Sequence, residues 1–273
     1  MELDRITYSY DRKADQLKEV TATIEAGRLT AIIGPNGSGK STLLGIMARN
    51  FAPRSGAAVL DGKAIASYKP RELARKLAVV HQHNGAPADL TVERLIAYGR
   101  LPHRKLLGTN EREDAEAVEW AAACTGLAAK RKARIGELSG GERQRAWIAM
   151  ALAQKTSVLL LDEPTTFLDM YYQIELMELI RELNVRQGLT IVVVLHDLNQ
   201  AVRYGDRIIA MKEGRVVLQG PPEETVTSRT IRDIYGVEAL VRREERAGMY
   251  IVPLRTGASE GDLCRRAREE AMT

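Results

Sequence analysis

Gly34 to Thr42 read GPNGSGKST, after the apolar run Leu29–Ile33 and before LLGIMARN. Strand, glycine-rich loop and helix in that order form the context of a P-loop. Gly34, Pro35, Asn36, Gly37, Ser38 and Gly39 are small or turn-forming, so successive backbone N–H groups can turn inward around a polyphosphate. The helix that follows adds the partial positive charge of its N-terminus. Lys40 reaches the β and γ phosphates as a point charge, Ser41 offers a hydroxyl to Mg²⁺, and Thr42 completes the motif. The pattern predicts nucleotide binding.

A second apolar run, SVLLLDEP, ends in two carboxylates, Asp162 and Glu163. A buried strand that ends in acids delivers them to the carboxyl edge of a sheet, beside the P-loop. Asp162 there holds Mg²⁺, and Glu163, one residue farther, polarises an attacking water. The bland alternative for the pair is a helix cap before Pro164. Gln82 follows LAVVH and His196 follows TIVVVL, so parallel strands would bring both to the same edge. Gln82 can touch the Mg²⁺ and the water, and His196 can donate to the γ-phosphate. Tyr10 can stack on an adenine or simply pack. His81 and His83 resemble a metal pair, but no third ligand is evident.

The elements that must position these residues are legible as short apolar runs bounded by Gly, Pro or Asp. Leu29–Ile33, Leu77–Val80, Val158–Leu161, Ile191–Leu195 and Arg207–Met211 read as buried strands. Their apolarity is continuous, the habit of a sheet covered by helices on both faces. Residues 85–155 differ, being rich in Ala, Glu and Arg, and predict a helical insertion. Thr91, Asn110 with Glu113, and Ser139 mark its helix starts. Glu213–Gly214 and RVVLQG predict a hairpin, followed by a helix and a last strand at Met249–Leu254. The domain is placed at 1–254, with a mobile charged tail over 255–273.

Composition narrows the function classes. The 273 residues are 28% charged and 45% hydrophobic, with a net charge of +4. That balance disfavours a protein that works mainly by neutralising nucleic-acid phosphates. The basic runs Lys130–Lys132, Arg242–Arg243 and Arg265–Arg266 read as solvated faces. Cys124 and Cys264 make no disulfide framework, which suits a reducing compartment. The N-terminus lacks the pattern of a signal peptide, and no apolar run approaches the roughly 18 to 20 residues of a membrane helix. A cytoplasmic protein, attached to a membrane only through partners, is expected.

LSGGE, Leu138 to Glu142, opens the helix RQRAWIAMALAQ and makes a second helix start fit for a phosphate. With this motif the series is GPNGSGKST, Gln82, LSGGE, LLLDEP, TTFLD at Thr165–Asp169, and His196. In order and spacing it resembles the ATP-binding cassette family over about residues 2 to 254. The resemblance implies an α/β P-loop NTPase fold. Its parts are a RecA-like parallel-sheet subdomain, an N-terminal antiparallel β subdomain and an inserted α-helical subdomain. It also implies that Tyr10 stacks on adenine. Ser139, Gly140 and Gly141 bind the γ-phosphate held by the opposite subunit's P-loop, and Asp169 helps link the two sites. ATP and Mg²⁺ are the implied ligands, and a second copy of the chain completes an ATP sandwich.

QHNGAPADLTVERLIAYGRLPH, AWIAMALAQ and VLHDLNQAVRYGDRI are similar to the ATPases of ferric siderophore, haem and cobalamin importers. This implies hydrolysis coupled to transport, membrane permease partners docking near Gln82 and the helical insertion, and indirectly a substrate-binding protein. It places the chain on the inner face of the cell membrane, with iron siderophore as the first cargo and no nucleic-acid partner. The alternatives are another cargo, or a soluble ATPase acting on nucleic acid or ribosomes. Glu142 replaces the family's commoner Gln, and Met170–Tyr171–Tyr172 follows TTFLD where small or His/Gln residues are frequent. Altered contacts around the phosphate-binding residues, rather than lost hydrolysis, are expected from Glu142.

Overall fold

The computed structural model describes residues 1–11, 13–104 and 111–257. Asn110, Cys264 and Arg265–Arg266 lie outside the described residues, as does the predicted tail from residue 258. The chain opens with the antiparallel strands β1 (Glu2–Tyr8) and β2 (Leu17–Thr23). Irregular register with positive φ at Arg5 and Glu19 breaks strict alternation, so Leu3, Ile6, Leu17 and Val20 are all buried while Asp4, Arg5 and Glu19 face water. β3 (Leu29–Ile33) is buried along its whole length and feeds the P-loop and α1 (Lys40–Met47). β4 (Ser55–Leu60) and β5 (Lys63–Ala64) return to the first sheet, whose strand order is β2-β1-β4-β5. α2 (Pro70–Ala74) precedes β6 (Leu77–Val80).

Between β6 and the next strand lie α3 (Val92–Tyr98), α4 (Glu111–Cys124) and α5 (Gly140–Ala153). Thr91 caps α3 by accepting from the Arg94 N–H, and Ser139 caps α5 by accepting from Glu142. The chain then alternates through β7 (Val158–Asp162), α6 (Met170–Gln187), β8 (Thr190–Val194), α7 (Leu198–Tyr204) and β9 (Arg207–Lys212). It finishes with β10 (Arg215–Gly220), α8 (Pro222–Thr225), α9 (Ser228–Tyr235), β11 (Val237–Glu244) and β12 (Gly248–Thr256).

The second sheet has the order β10-β9-β3-β8-β7-β6. β3 runs parallel to β8 and β9, and β7 runs parallel to β6 and β8; only β10 is antiparallel. The loops after β3, β6, β7 and β8 therefore emerge at one edge, where open α/β sheets bind ligands. The pleat explains the continuous apolar runs: Ile191 and Val193 enter one buried cluster, while Val192 and Val194 enter the other on the opposite face. The five predicted buried strands match β3, β6, β7, β8 and β9 to within a residue at either end.

Two segments differ from the residue-by-residue reading. β1, β2 and β4 carry acids, Lys and Ala among few apolar residues, so no buried run announces them. β11 was not expected: VEALVRRE pairs with β12 from Val237↔Thr256 to Glu244↔Gly248. Cross-strand pairing turns a charged sequence into a strand that local pattern does not distinguish. That pairing also holds Arg255 and Thr256 in β12, where the sequence places the start of the tail.

Candidate nucleotide site

The P-loop wraps the end of β3 and is shaped by positions where only glycine fits. Gly34 has φ +151°, and a Cβ there would lie 2.3 Å from the Met211 carbonyl oxygen. Gly39 caps α1 at φ +99° with no side-chain bond, and no acid occupies that helix's first turn. The helix N–H groups thus face the cleft without a competing carboxylate from their own turn. Lys40 is buried, its Nζ donating to the carbonyls of Gly34 at 2.9 Å and Pro35 at 3.0 Å. Pro35, Asn36 and Gly37 form the outer lip, whereas Ser38 is buried with an Oγ that has no hydrogen-bond partner. Behind the loop, the Gly214 N–H of the β9–β10 turn donates to the Ser38 carbonyl at 3.1 Å.

β7 brings the two acids to this edge. The Ser41 hydroxyl donates to Asp162 at 3.0 Å, so the two groups share one spot beside Lys40. Burial pushes the Asp162 carboxyl above its ordinary range and the Glu163 charge adds to the rise, while the Ser41 hydroxyl and Lys40 oppose it. Burial pulls the Lys40 ammonium down, against the raising fields of Glu163 and Asp162. Hydroxyl and carboxylate oxygens beside an amide side chain are the hard donors Mg²⁺ accepts, with water and phosphate completing its shell. The residues present therefore fit that ion.

Glu163 is the meeting point of three loops. It is 8% exposed and adopts φ +48°, an uncommon conformation for a residue with a side chain. Gln82 Nε2 donates to its Oε2 at 2.5 Å, and His196 Nε2 lies 2.5 Å from its Oε1. Gln82 comes from the loop after β6 and His196 from the loop after β8, so the parallel register brings both to β7's acid. Thr166 adds its hydroxyl at 3.4 Å.

Tyr10 is 57% exposed, its hydroxyl 3.0 Å from the Thr42 hydroxyl and its ring edge-on to Tyr8 and Phe51. A cleft of about 290 Å³ runs from Tyr10 past Asn36, Lys40 and Thr42 to Glu163. Gln16 also lines it and accepts from the Tyr10 N–H at 3.0 Å. No motif marks Gln16; only the β1–β2 connection brings it here. Lys130, read from the sequence as part of a solvated face, is instead paired with Glu142. His81 lines a different groove, and His83 packs near Phe167 with ring centroids 6.5 Å apart. Among the described residues no cluster of three or more His, Cys, Asp or Glu is gathered as a metal site.

Ser139 caps α5, which begins with Gly140 and Gly141, and none of the three lines the cleft beside Lys40. Ser139 and Gly140 are exposed, while a Cβ at Gly141 would meet the Tyr172 ring at 3.0 Å. Glu142 completes a reciprocal cap, its Oε2 accepting from the Ser139 N–H at 3.0 Å and its Oε1 paired with Lys130 at 2.5 Å. Lys130, more than the Ser139 amide, holds the Glu142 carboxyl below its ordinary range. Asp169 precedes α6, exposed and with no cap bond, and Phe167, Met170 and Tyr171 beside it are exposed too.

The sequence profile of the ABC transporter family matches residues 17–166. The petrobactin import ATP-binding protein FpuC of Bacillus anthracis is 43% identical over 263 residues, which is 96% of each chain. The ferric enterobactin transport ATP-binding protein FepC of Escherichia coli K12 is 46% identical over 252 residues, 92% of this chain and 93% of that one. A bacterial ABC transporter cassette of solved, dimeric structure is 31% identical with a TM-score of 0.71, covering 81% of this chain and 98% of that one. The fold that carries the P-loop, the paired acids and the second helix start is thus shared with that cassette. The chain belongs to the ABC transporter family, and is an ATP-binding cassette ATPase.

Proposed function

We propose that this chain is the ATP-hydrolysing subunit of an importer that drives uptake of an iron siderophore through a membrane permease. The observation that carries the reading is Glu163, poised between Gln82 and His196 and opposite Lys40 and Ser41. Similarity to the petrobactin and ferric enterobactin proteins supports the cargo class. Haem and cobalamin are the next choices.

In this reading the P-loop N–H groups and Lys40 grip the β and γ phosphates, and Tyr10 stacks on the adenine. Ser41, Gln82 and Asp162 hold Mg²⁺, which supplies charge neutralisation at the phosphate oxygens when bound. Glu163 orients and polarises the attacking water, Gln82 helps place that water, and His196 donates to the γ-phosphate. A second copy presents Ser139, Gly140 and Gly141 to the same γ-phosphate, with Asp169 joining the two sites. Closure therefore lasts only while the triphosphate is intact. No described helix is long and apolar enough to cross a membrane. The pair sits on the cytoplasmic face, beneath its permease.

The test is Glu163→Gln in MgATP. The variant should bind ATP, fail to release phosphate, and accumulate as a dimer by light scattering that collapses when ATP is replaced by ADP. A variant that remains monomeric at saturating MgATP would sink the sandwich.

A further inference from the structure

The C-terminal hairpin lies beyond the residues matched by the family profile, yet it is joined to the turn that carries His196. Asn199 is the link. Its Oδ1 accepts from the Ile251 N–H at 2.8 Å, and its Nδ2 donates to the Ile251 carbonyl at 3.3 Å. One side chain thus pairs with β12 as a neighbouring strand would. At its other end, the Asn199 N–H donates to the Asp197 carboxylate at 2.7 Å, the cap of α7. His196 is the residue before that cap, and its ring meets Glu163.

The hairpin has the support needed to act as an anchor. Ile251 is buried, as are Ile231 and Ile234 on α9 and Ala239 on β11. The ring of His196, by contrast, is 45% exposed and stands on a loop. A loop residue of that kind holds its direction only if the backbone beneath it is fixed from outside the turn.

We infer that Asn199 is a positioning residue for ATP hydrolysis: clamped to β12, it fixes the α7 start so that the His196 ring stays against Glu163. The hairpin is then part of the hydrolytic apparatus without touching nucleotide. This rests on the ATPase reading for its kinetic consequence, but the ring position is measurable without nucleotide.

The experiment uses the full chain with Asn199→Ala, and Asn199→Asp, which keeps the acceptor for the Ile251 N–H and loses the donor. The chain has four histidines, so the ring Cε1–H signals are few enough to assign by single substitution. In Asn199→Ala without nucleotide, the His196 signal should shift or broaden while those of His81, His83 and His103 stay in place. In MgATP, kcat should fall about ten-fold, the effect of roughly one or two lost hydrogen bonds, with KM for ATP changing less than about two-fold. Asn199→Asp should fall between Asn199→Ala and the natural chain in both readouts. An unmoved His196 signal overturns the inference, as does a KM rise with kcat unchanged. Absence of turnover in the natural chain would instead defeat the ATPase reading and leave the ring signal as the deciding measurement.

Discussion

Asp162 is held at a cost in the nucleotide-free chain. Its carboxyl lies above the ordinary range because burial and Glu163 outweigh the help of Ser41 and Lys40. A folded-state carboxyl that is raised favours folding at acid pH, and that contribution is lost as pH rises through the folded pKa. At neutral pH the ionised form is therefore a net penalty. Asp162→Asn keeps an oxygen for the Ser41 hydroxyl and removes the charge. It should stabilise the nucleotide-free chain by about 1 kcal/mol, read as a higher Tm, while abolishing Mg²⁺-dependent hydrolysis. A lower Tm would show that the pull of Lys40 on this carboxylate exceeds its burial cost. The same trade is visible at Glu163, whose left-handed backbone is held where its carboxylate meets two loops.

At the scale of elements, Asp206 joins three of them. Just before β9, its Oδ2 accepts from the Leu29 N–H of β3 at 2.8 Å and from Arg181 of α6 at 2.9 Å. Burial raises its carboxyl, but Arg181, the Leu29 amide and Arg28 together hold it below the ordinary range. The sign is thus opposite to that of Asp162: the stabilisation is present above the ordinary carboxylate pKa and lost as pH falls through the folded value. Asp206→Ala should destabilise by about 2 kcal/mol at neutral pH, and the difference from the natural chain should shrink in acid denaturation. Equal differences at pH 7 and pH 3 would mean that packing, not charge, is lost. Because β3 leads directly into the P-loop, this anchoring bears on the site as well as on stability.

At the scale of the whole molecule, the chain has two glycine-flanked helix starts, and only that of α1 lines the cleft. Lys40's loop opens onto the cleft with Tyr10 and Glu163, whereas Ser139 and Gly140 open α5 to solvent elsewhere. In the proposed ATP sandwich, a second copy supplies its Ser139 helix start to this cleft. Ser139→Ala should therefore leave ATP binding by the single chain within about two-fold. Turnover and ATP-driven dimerisation should fall at least about ten-fold, since a donor to the developing charge is lost. Fluorescent-nucleotide titration separates the two effects; a loss of ATP affinity matching the loss of turnover would place Ser139 in its own chain's cleft.

Residue types and spacing by themselves determined the P-loop, the paired acids at the end of β7, the second helix start and the five core strands. Each of these rests on local chemistry: glycines that admit backbone N–H groups, apolar runs too long to alternate, caps at helix starts. The sequence brought Gln82 and His196 to one edge only on the condition of parallel strands; the tertiary structure met that condition and set both side chains against Glu163 through the parallel register of β6, β7 and β8. It also decided the role of weakly patterned segments. Gln16 reaches the cleft through the β1–β2 connection, β11 exists through its pairing with β12, and Asn199 is tied to β12 by a pairing that joins residues far apart in the chain. Contacts across 52 residues, as between Asn199 and Ile251, leave no trace in either residue's neighbours, so no local pattern can announce them.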